Sequence, residues 1–397
     1  MKTFFSELGQ AVLTSWGKEN FSLKAFPNIA TKILQECNPS KNIELKALQK
    51  DFLLNNNQLQ QTNSGFGQPE LIVFHHPRFY IQVLFWLDGT TDIHQHAFSG
   101  AFHVLSGSSI HTEFEFTETE SLSSHFKIGE LKKRKLELLT QGKSVPIRAK
   151  DKLIHSLFHL DTPSVTVVIR THNDALETQL NYLPPCVALD PTHSDPLNLR
   201  RLQLLDVLHA SDDDEYADLV IQMINSLDLE TAFSVLQHTI SPLTELGEWK
   251  NVFSHFAKKH GQMATELEAS ILEESRRTKI SQMRTHIIDS DHRFFLALIM
   301  NSSIQSEILD LVSQRVKEED SIETVIAWLC ELIEVDDFST SILNASFPEI
   351  LDLPQELQAE QMINVARQSL LGNKPEPGSD EELILQALIG SSLKPLF

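Results

Sequence analysis

The sequence predicts an α+β chain of more than one domain, a β-barrel followed by an all-α region. Three observations lead there. Runs that suit strands crowd between residues 65 and 178. From Leu197 onward, apolar residues recur at helical spacing almost throughout. Charge divides near the same place. Residues 1–190 carry 18 Lys and Arg against 19 Asp and Glu, a net of −1, while residues 191–397 carry 15 against 35, a net of −20. The length of 397 residues allows two or three domains, and 41% hydrophobic residues can build a normal core.

Residues 1–64 are expected as an N-terminal helical segment. Apolar spacing predicts helices over 3–16 and 26–37, with Pro27 in a first turn where its missing N–H costs nothing. A shorter helix is expected over 40–51. Asn55 to Gly67 is polar, contains Gly65 and Gly67, and reads as a loop. Strands are expected at 70–76, 79–87, 100–106 and 109–117. In the last of these Ile110, Thr112, Phe114 and Phe116 alternate onto one face. Gly129-Glu130 reads as a turn, which would place the basic run Lys132 to Lys135 on a solvated hairpin. Runs at 145–149, 152–160 and 164–171 complete the barrel. Pro184-Pro185, Pro191 and Pro196 mark 179–196 as a Pro-rich linker.

The remainder, 197–397, reads as an acidic all-helical domain. Helices are expected at 197–209, 214–226, 230–238, 243–258, 262–288, 293–301, 304–317, 320–334, 355–371 and 380–390. Asp289 or Ser290 can cap the segment that begins at Arg293. Pro348, Pro354, Pro375 and Pro377 punctuate the end. No fixed repeat period appears, so a solenoid is not indicated.

Composition narrows the function classes. No run of about 18 apolar residues is present, so no membrane-spanning helix is expected. A charge follows Met1-Lys-Thr-Phe-Phe-Ser before any signal-peptide core can form. Cys37, Cys186 and Cys330 are far apart and odd in number, which fits a reducing cytoplasm. The acidic half argues against binding nucleic acid or anionic membranes; it would suit a basic protein partner, though a soluble acidic surface explains it as well. No P-loop, dinucleotide fingerprint, nucleophile elbow or HExxH motif occurs.

The stretch Trp86 to Gly107 carries the chemistry. His94 and His96 stand two apart, so on a strand both imidazoles aim to one side. Ser106-Gly107-Ser108 reads as a hairpin turn. His155 lies in a later apolar strand. Three neutral imidazoles on a transition metal leave positions open for other ligands. His159 shares the face of His155 and reads as a fourth ligand, a proton donor behind the ligands or a core histidine. Alternation puts His103 on the outer face, where a surface role is expected. His75-His76, just before Pro77, could approach the mouth of the site but reads better as an exposed turn. His286, Asp289, Asp291 and His292 read as an ordinary acidic helix start.

Gly89, His94, His96, Gly100 and Gly107, followed by the lone His155, resemble the double motif of cupins. The closest resemblance within that superfamily is to cysteine dioxygenase and its thiol-dioxygenase relatives. It rests on Trp86-Leu-Asp-Gly ahead of Ile93-His-Gln-His, then Ser99, Phe102, Leu105 and Gly107, then Pro163 and the run Val165 to Ile169. It covers roughly residues 65–175. The resemblance implies a cupin-type barrel and a ferrous ion held by His94, His96 and His155. Gly100 stands where cupins place a glutamate, and the thiol-dioxygenase branch also lacks that residue. Lys150 and Lys152 replace the usual Pro and Gly of the second motif, and His159 replaces its Asn. The branch's carboxylate-clamping arginine would fall near Pro69 or Glu70, its crosslinked cysteine at Gly100, and its tyrosine near Arg170. Of the nearby arginines, Arg78 and Arg170, the latter is the better candidate anion contact, because on a strand between Ile169 and Thr171 it could project into the barrel mouth; an outward Arg on the barrel rim is the equal alternative.

What the resemblance implies is a mononuclear non-haem Fe(2+) oxygenase. Its substrates would be dioxygen and a thiol or other small or peptide-linked molecule, with free cysteine disfavoured. The helical domain would supply part of the binding surface. The same ligand set accepts Ni, Zn or Mn. Two other readings accompany it: a metal-dependent isomerase, lyase or hydrolase on the same barrel, and a non-catalytic metal-binding sensor whose helical domain binds a protein.

Overall fold

The structure, a computed structural model, describes residues 2–397 apart from 57, 63–65, 88, 175–177, 194, 318–319 and 336–354. Pro348 and Pro354, two of the expected helix breaks, lie outside those residues, as does Asp88 of the Trp86-Leu-Asp-Gly stretch.

The run Phe79-Tyr-Ile-Gln-Val-Leu-Phe-Trp86 shows little polar alternation because it is buried on both faces. It forms β2 (Phe79–Trp86), in a five-stranded sheet with β1 (Glu70–His76), β9 (Ser164–Thr171), β4 (Gly100–Ser106) and β7 (Ser144–Ile147), in the order β1-β2-β9-β4-β7. The other sheet closes as a six-stranded antiparallel barrel. It runs β10 (Asn181–Leu183), β11 (Val187–Leu189), β6 (Phe126–Leu139), β5 (Ser109–Ser121), β8 (Lys150–His159) and β3 (His94–His96). Leu84, Trp86, Phe102, Leu157 and Val168 pack in the core between the two sheets.

Helices cover the outer faces. α1 (Lys2–Lys18) and α2 (Phe26–Cys37) set Phe5, Leu8, Val12, Trp16 and Phe26 against Phe79, Ile81, Val83 and Ile169. The expected helix at 40–51 is split into α3 (Pro39–Asn42) and α4 (Leu45–Leu54), with Ile43 extended between them. The acidic half follows as α5 (Pro196–Ala210), α6 (Tyr216–Ser226), α7 (Leu229–Glu245), α8 (Trp249–His260), α9 (Gln262–His286), α10 (Ser290–Asn301), α11 (Gln305–Val316), α12 (Ser321–Ile333), α13 (Gln355–Leu370) and α14 (Asp380–Gly390). Asp289 caps α10 by accepting from the Asp291 and His292 amides, as an acidic helix start should. The helices share their cores with the barrel. Phe126, Ile128 and Val187 pack among α5–α9, and Ile110, Phe158 and Leu160 pack among α9–α14.

Several sequence expectations need correction. Ser106-Gly107-Ser108 is a corner between sheets and not a hairpin: β4 pairs with β7 and β9, while β5 pairs with β6 and β8. Gly107 serves the corner with φ +80°, and a Cβ there would meet the Ser164 hydroxyl at 2.8 Å. Gly129-Glu130 is no turn. It lies inside the continuous strand β6, and its glycine permits close approach, since a Cβ would meet the Thr117 carbonyl at 2.3 Å. The basic run Lys132–Lys135 therefore sits mid-strand, where Lys133 pairs with Glu307 and Arg134 with Glu115. The residues expected as a linker at 179–196 include β10 and β11, joined through Pro184-Pro185; each strand has only three residues, too few to show a period. The expected break before residue 243 is absent, because Pro242 falls in the last turn of α7 and Phe233, Leu236 and Leu243 keep that helix buried. Lastly, His103 is on the outer face but is fully buried under the N-terminal helices. Its Nε2 faces the Ser40 amide at 3.4 Å and its Nδ1 the Ser144 hydroxyl at 2.9 Å.

Candidate metal centre

β3 is short and irregular, and that irregularity shapes the site. His94 pairs with His155 across the ladder, then the register shifts so that His96 pairs with Lys150. His94, His96 and His155 are all buried, and one ring nitrogen from each lies within 4.8 Å of the others. His96 Nε2 and His155 Nε2 are 2.8 Å apart.

Outer hydrogen bonds orient the rings. His94 Nδ1 donates to the Asp92 carbonyl at 2.8 Å. His155 Nδ1 donates to His111 Nε2 at 3.0 Å, and His111 Nδ1 donates to Glu137 Oε1 at 3.2 Å. These bonds leave the Nε2 lone pairs of His94 and His155 turned inward. The His94 Nε2 is buried with no hydrogen-bond partner among the described residues. Burial holds the His94, His96 and His155 rings below the usual histidine range. For His96 and His155 it acts first and neighbouring positive groups, the other histidines among them, add to it. Neutral imidazole is the form that binds metal. Three neutral imidazoles with an orphaned inward nitrogen fit a divalent transition metal.

His111 was not among the expected site residues. It is a diagonal neighbour of His155, because Glu113 is the residue directly opposite His155 on β5, and it lies directly opposite Glu137 on β6. The alternation that sends Ile110 and Thr112 outward sends His111 inward, so the sequence carried a signal for its side and none for its partner. His111, Glu113 and Glu137 themselves form a second group with ligand-type atoms within 4.8 Å. The hydrogen bond from His111, with Lys135 adding to it, pulls the Glu137 carboxyl down to about 2, so the carboxylate stays charged. That chain connects a buried ring to a half-exposed carboxylate, an arrangement that orients a metal-binding histidine and raises its basicity.

The other expected site residues lie apart from the three. His159 is fully buried and its ring stacks on Trp86, centroids 4.9 Å apart. Its Nδ1 meets the Ser109 hydroxyl at 2.8 Å, and burial, with Arg284 nearby, lowers it to about 3. His159 belongs to neither group of ligand-type atoms found among the described residues. Arg170 is buried on the inner face of β9. Its guanidinium carbon sits 3.4 Å from the centre of the Phe98 ring, and Phe98 in turn lies 4.6 Å from the His96 ring. Arg170 is thus one aromatic ring away from the histidines. Gly100 is opposite Arg170, and a Cβ there would meet the Ile169 carbonyl at 2.1 Å. A glutamate cannot stand at that position without moving the strands apart.

The rings open on a cavity of about 40 Å³ lined by Gln82, Leu84, Trp86, Phe98, Phe102 and Val168 among others. None of the described residues of the helical half lines it; those helices pack on the outside of the barrel, and α9 forms a neighbouring cleft with Thr90 to Ile93. On the other side, Phe98 also lines an open cleft of about 1020 Å³ that contains Lys24, Arg78, Arg148 and Lys152. No helix among the described residues is long and apolar enough to cross a membrane.

No protein-family model and no curated protein matches the sequence. Among solved structures, the chain is similar to the DMSP lyases RdDddP and RnDddQII, with 17% identity over 25% of this chain and 42% of that chain and a TM-score of 0.17. It is similar to the DMSP lyase DddQ from Ruegeria pomeroyi DSS-3, with 14% identity over 35% of this chain and 66% of that one and a TM-score of 0.22. It is also similar to an oxalate oxidase, with 16% identity over 41% of this chain and 79% of that one and a TM-score of 0.20. The chain thus spans less than two thirds of either lyase, and scores this low carry no argument about what it does.

Proposed function

We propose that this chain is a metal-dependent enzyme, a mononuclear ferrous oxygenase of the thiol-dioxygenase type. The observation that carries the reading is the set of three buried, neutral imidazoles with inward nitrogens, of which the His94 Nε2 is unpartnered. A ferrous ion held by His94, His96 and His155 would supply adjacent open positions for a donor atom and dioxygen. The absence of a carboxylate among those three ligands favours an anionic donor such as a thiolate, because the bound ion keeps its full positive charge.

The protein's own residues complete the site. The apolar lining excludes water around the donor. The His111–Glu137 chain holds the His155 ring in one orientation. Arg170, stacked on Phe98, would be the contact for an anionic group that reaches past that ring. The small cavity beside a larger basic cleft supports a substrate that inserts a short end past Phe98 while the rest lies outside, as a peptide-linked or larger thiol would. Free cysteine leaves that cleft unused.

The test is metal analysis of the anaerobically purified protein, followed by an oxygen-uptake screen over thiols with His155→Ala as control. Stoichiometric iron with thiol-dependent uptake is expected. A bound metal with no uptake over any thiol would turn the reading toward the isomerase or lyase alternative, or toward a sensor.

A further inference from the structure

Gln82, His94, Thr112 and His159 each carry a buried side-chain atom without a hydrogen-bond partner among the described residues, and of these four Gln82 and His94 line the cavity. Gln82 lies in the middle of β2, directly opposite Ile72 and Val168, and is 1% exposed. Its position on the inner face places it with Leu84 and Trp86 in the wall of the cavity into which the histidines open. Its Oε1 is fully buried and has no hydrogen-bond partner among the described residues. A strand flanked by apolar residues would accommodate Leu or Met at this position with no polar atom to satisfy. A buried acceptor without a donor costs free energy, and natural structures rarely keep one without a use for it.

We propose that Gln82 is a substrate-recognition residue and that the substrate carries a hydrogen-bond donor, an N–H or O–H, near the atom it presents to the three histidines. This rests on the reading of those histidines as a metal centre and adds to it the chemical class of the substrate. The cavity otherwise offers mostly apolar walls, with Thr91 and Thr166 as further polar contributors, and the Thr166 hydroxyl already accepts from the Trp86 indole at 3.5 Å. The amide oxygen of Gln82 is therefore the acceptor left for a ligand. A site built around a buried acceptor discriminates strongly against an analogue that lacks the donor, because binding that analogue leaves the acceptor dry and unpaired. Arg170 faces the same side of the sheet one step nearer the cleft, since it pairs with Tyr80 where Val168 pairs with Gln82. The cavity wall thus presents an acceptor inside, which suits a substrate with its donor deep.

The experiment uses full-length protein loaded with cobalt(II) and two thiols of nearly equal shape, 2-mercaptoethanol and 1-propanethiol, which differ by a hydroxyl against a methyl. Binding is read from the thiolate-to-cobalt absorption, and the quantity of interest is the ratio of the two dissociation constants in wild type against Gln82→Met. The ratio should favour 2-mercaptoethanol by roughly 10–100-fold more in wild type than in the variant. The variant should also load cobalt fully and melt at the same temperature or higher, because it removes an unsatisfied acceptor while keeping the volume. An unchanged ratio, or a variant that melts lower than wild type, overturns the proposal. If cobalt loads and neither thiol binds, the thiol reading of the centre fails on its own and the melting comparison decides the role of Gln82. If cobalt does not load into wild type, the metal centre fails, and the melting comparison again decides.

Discussion

His155 and His159 lie four residues apart on β8, on the same inner face, and both are buried and held neutral. One sits among ligands and the other does not. At the His155 end, the ladder partner is His94 on the irregular strand β3, so three ring nitrogens meet, and His111 and Glu137 brace them from β5 and β6. At the His159 end the ring lies flat on Trp86, and the backbone takes over. Arg284 of α9 donates its Nε to the His159 carbonyl at 2.7 Å, and Arg293 of α10 donates Nη1 to the Leu160 carbonyl at 3.1 Å. One end of the strand is arranged for chemistry and the other fastens the helical half to the barrel. Residue type and facing do not make a ligand; the groups that converge on it do.

The largest expected effect sharpens this contrast directly. His155→Ala should abolish most metal binding, and so should His94→Ala or His96→Ala, whereas His159→Ala and His103→Ala should leave the metal content unchanged, as read by elemental analysis after gel filtration. Retention of metal by His155→Ala would remove the chemical end of the comparison.

Next comes acidification. Burial lowers His103 from 6.5 to about 4, so the folded state binds fewer protons than the unfolded state between those values. The stability this contributes is complete above the unfolded pKa near 6.5 and is lost as the pH falls toward 4. The linkage amounts to at most about 3 kcal/mol. Denaturant midpoints measured from pH 7 to pH 4 should fall, and more gently in His103→Gln than in wild type.

The structural end of β8 is tested by Arg284→Met. Losing charged donors to buried carbonyls should cost roughly 1.5–3 kcal/mol in urea unfolding, with metal content preserved. A variant that unfolds as wild type does would mean that the Arg284 bonds do not fasten the helices to the barrel. The smallest effect belongs to the brace. His111→Ala or Glu137→Gln should weaken the metal by roughly 10–100-fold in a chelator competition, while full occupancy returns with excess metal.

Much of the fold could be read from local pattern. The helix Phe26–Cys37 and the strands Glu70–His76 and Ser164–Thr171 match their expected spans, because each is long enough to show its own period or is bounded by Pro or polar residues. The pair His94 and His96 was evident from spacing alone. The misread stretches share a cause. Gly129 looks like a turn residue, yet it serves a contact with Thr117 on another strand, and β10 and β11 are too short to show a period. His103 looks like a surface residue by alternation, yet the N-terminal helices cover its face.

The sequence by itself determined which face of each long strand its side chains occupy, that the acidic half is helical, and that three histidines lie on strands of one barrel. Those properties follow from the two-residue and 3.6-residue periods, which are local. Only the tertiary structure decided that His111 meets His155, that Glu137 stands across from His111, that Gln82 is buried beside the histidines with its Oε1 unpartnered among the described residues, and that α9 and α10 hold the far end of β8. Each of these depends on cross-strand register or on helix docking, and those are set by pairings between residues tens to more than a hundred positions apart, for which a one-dimensional pattern carries no signal.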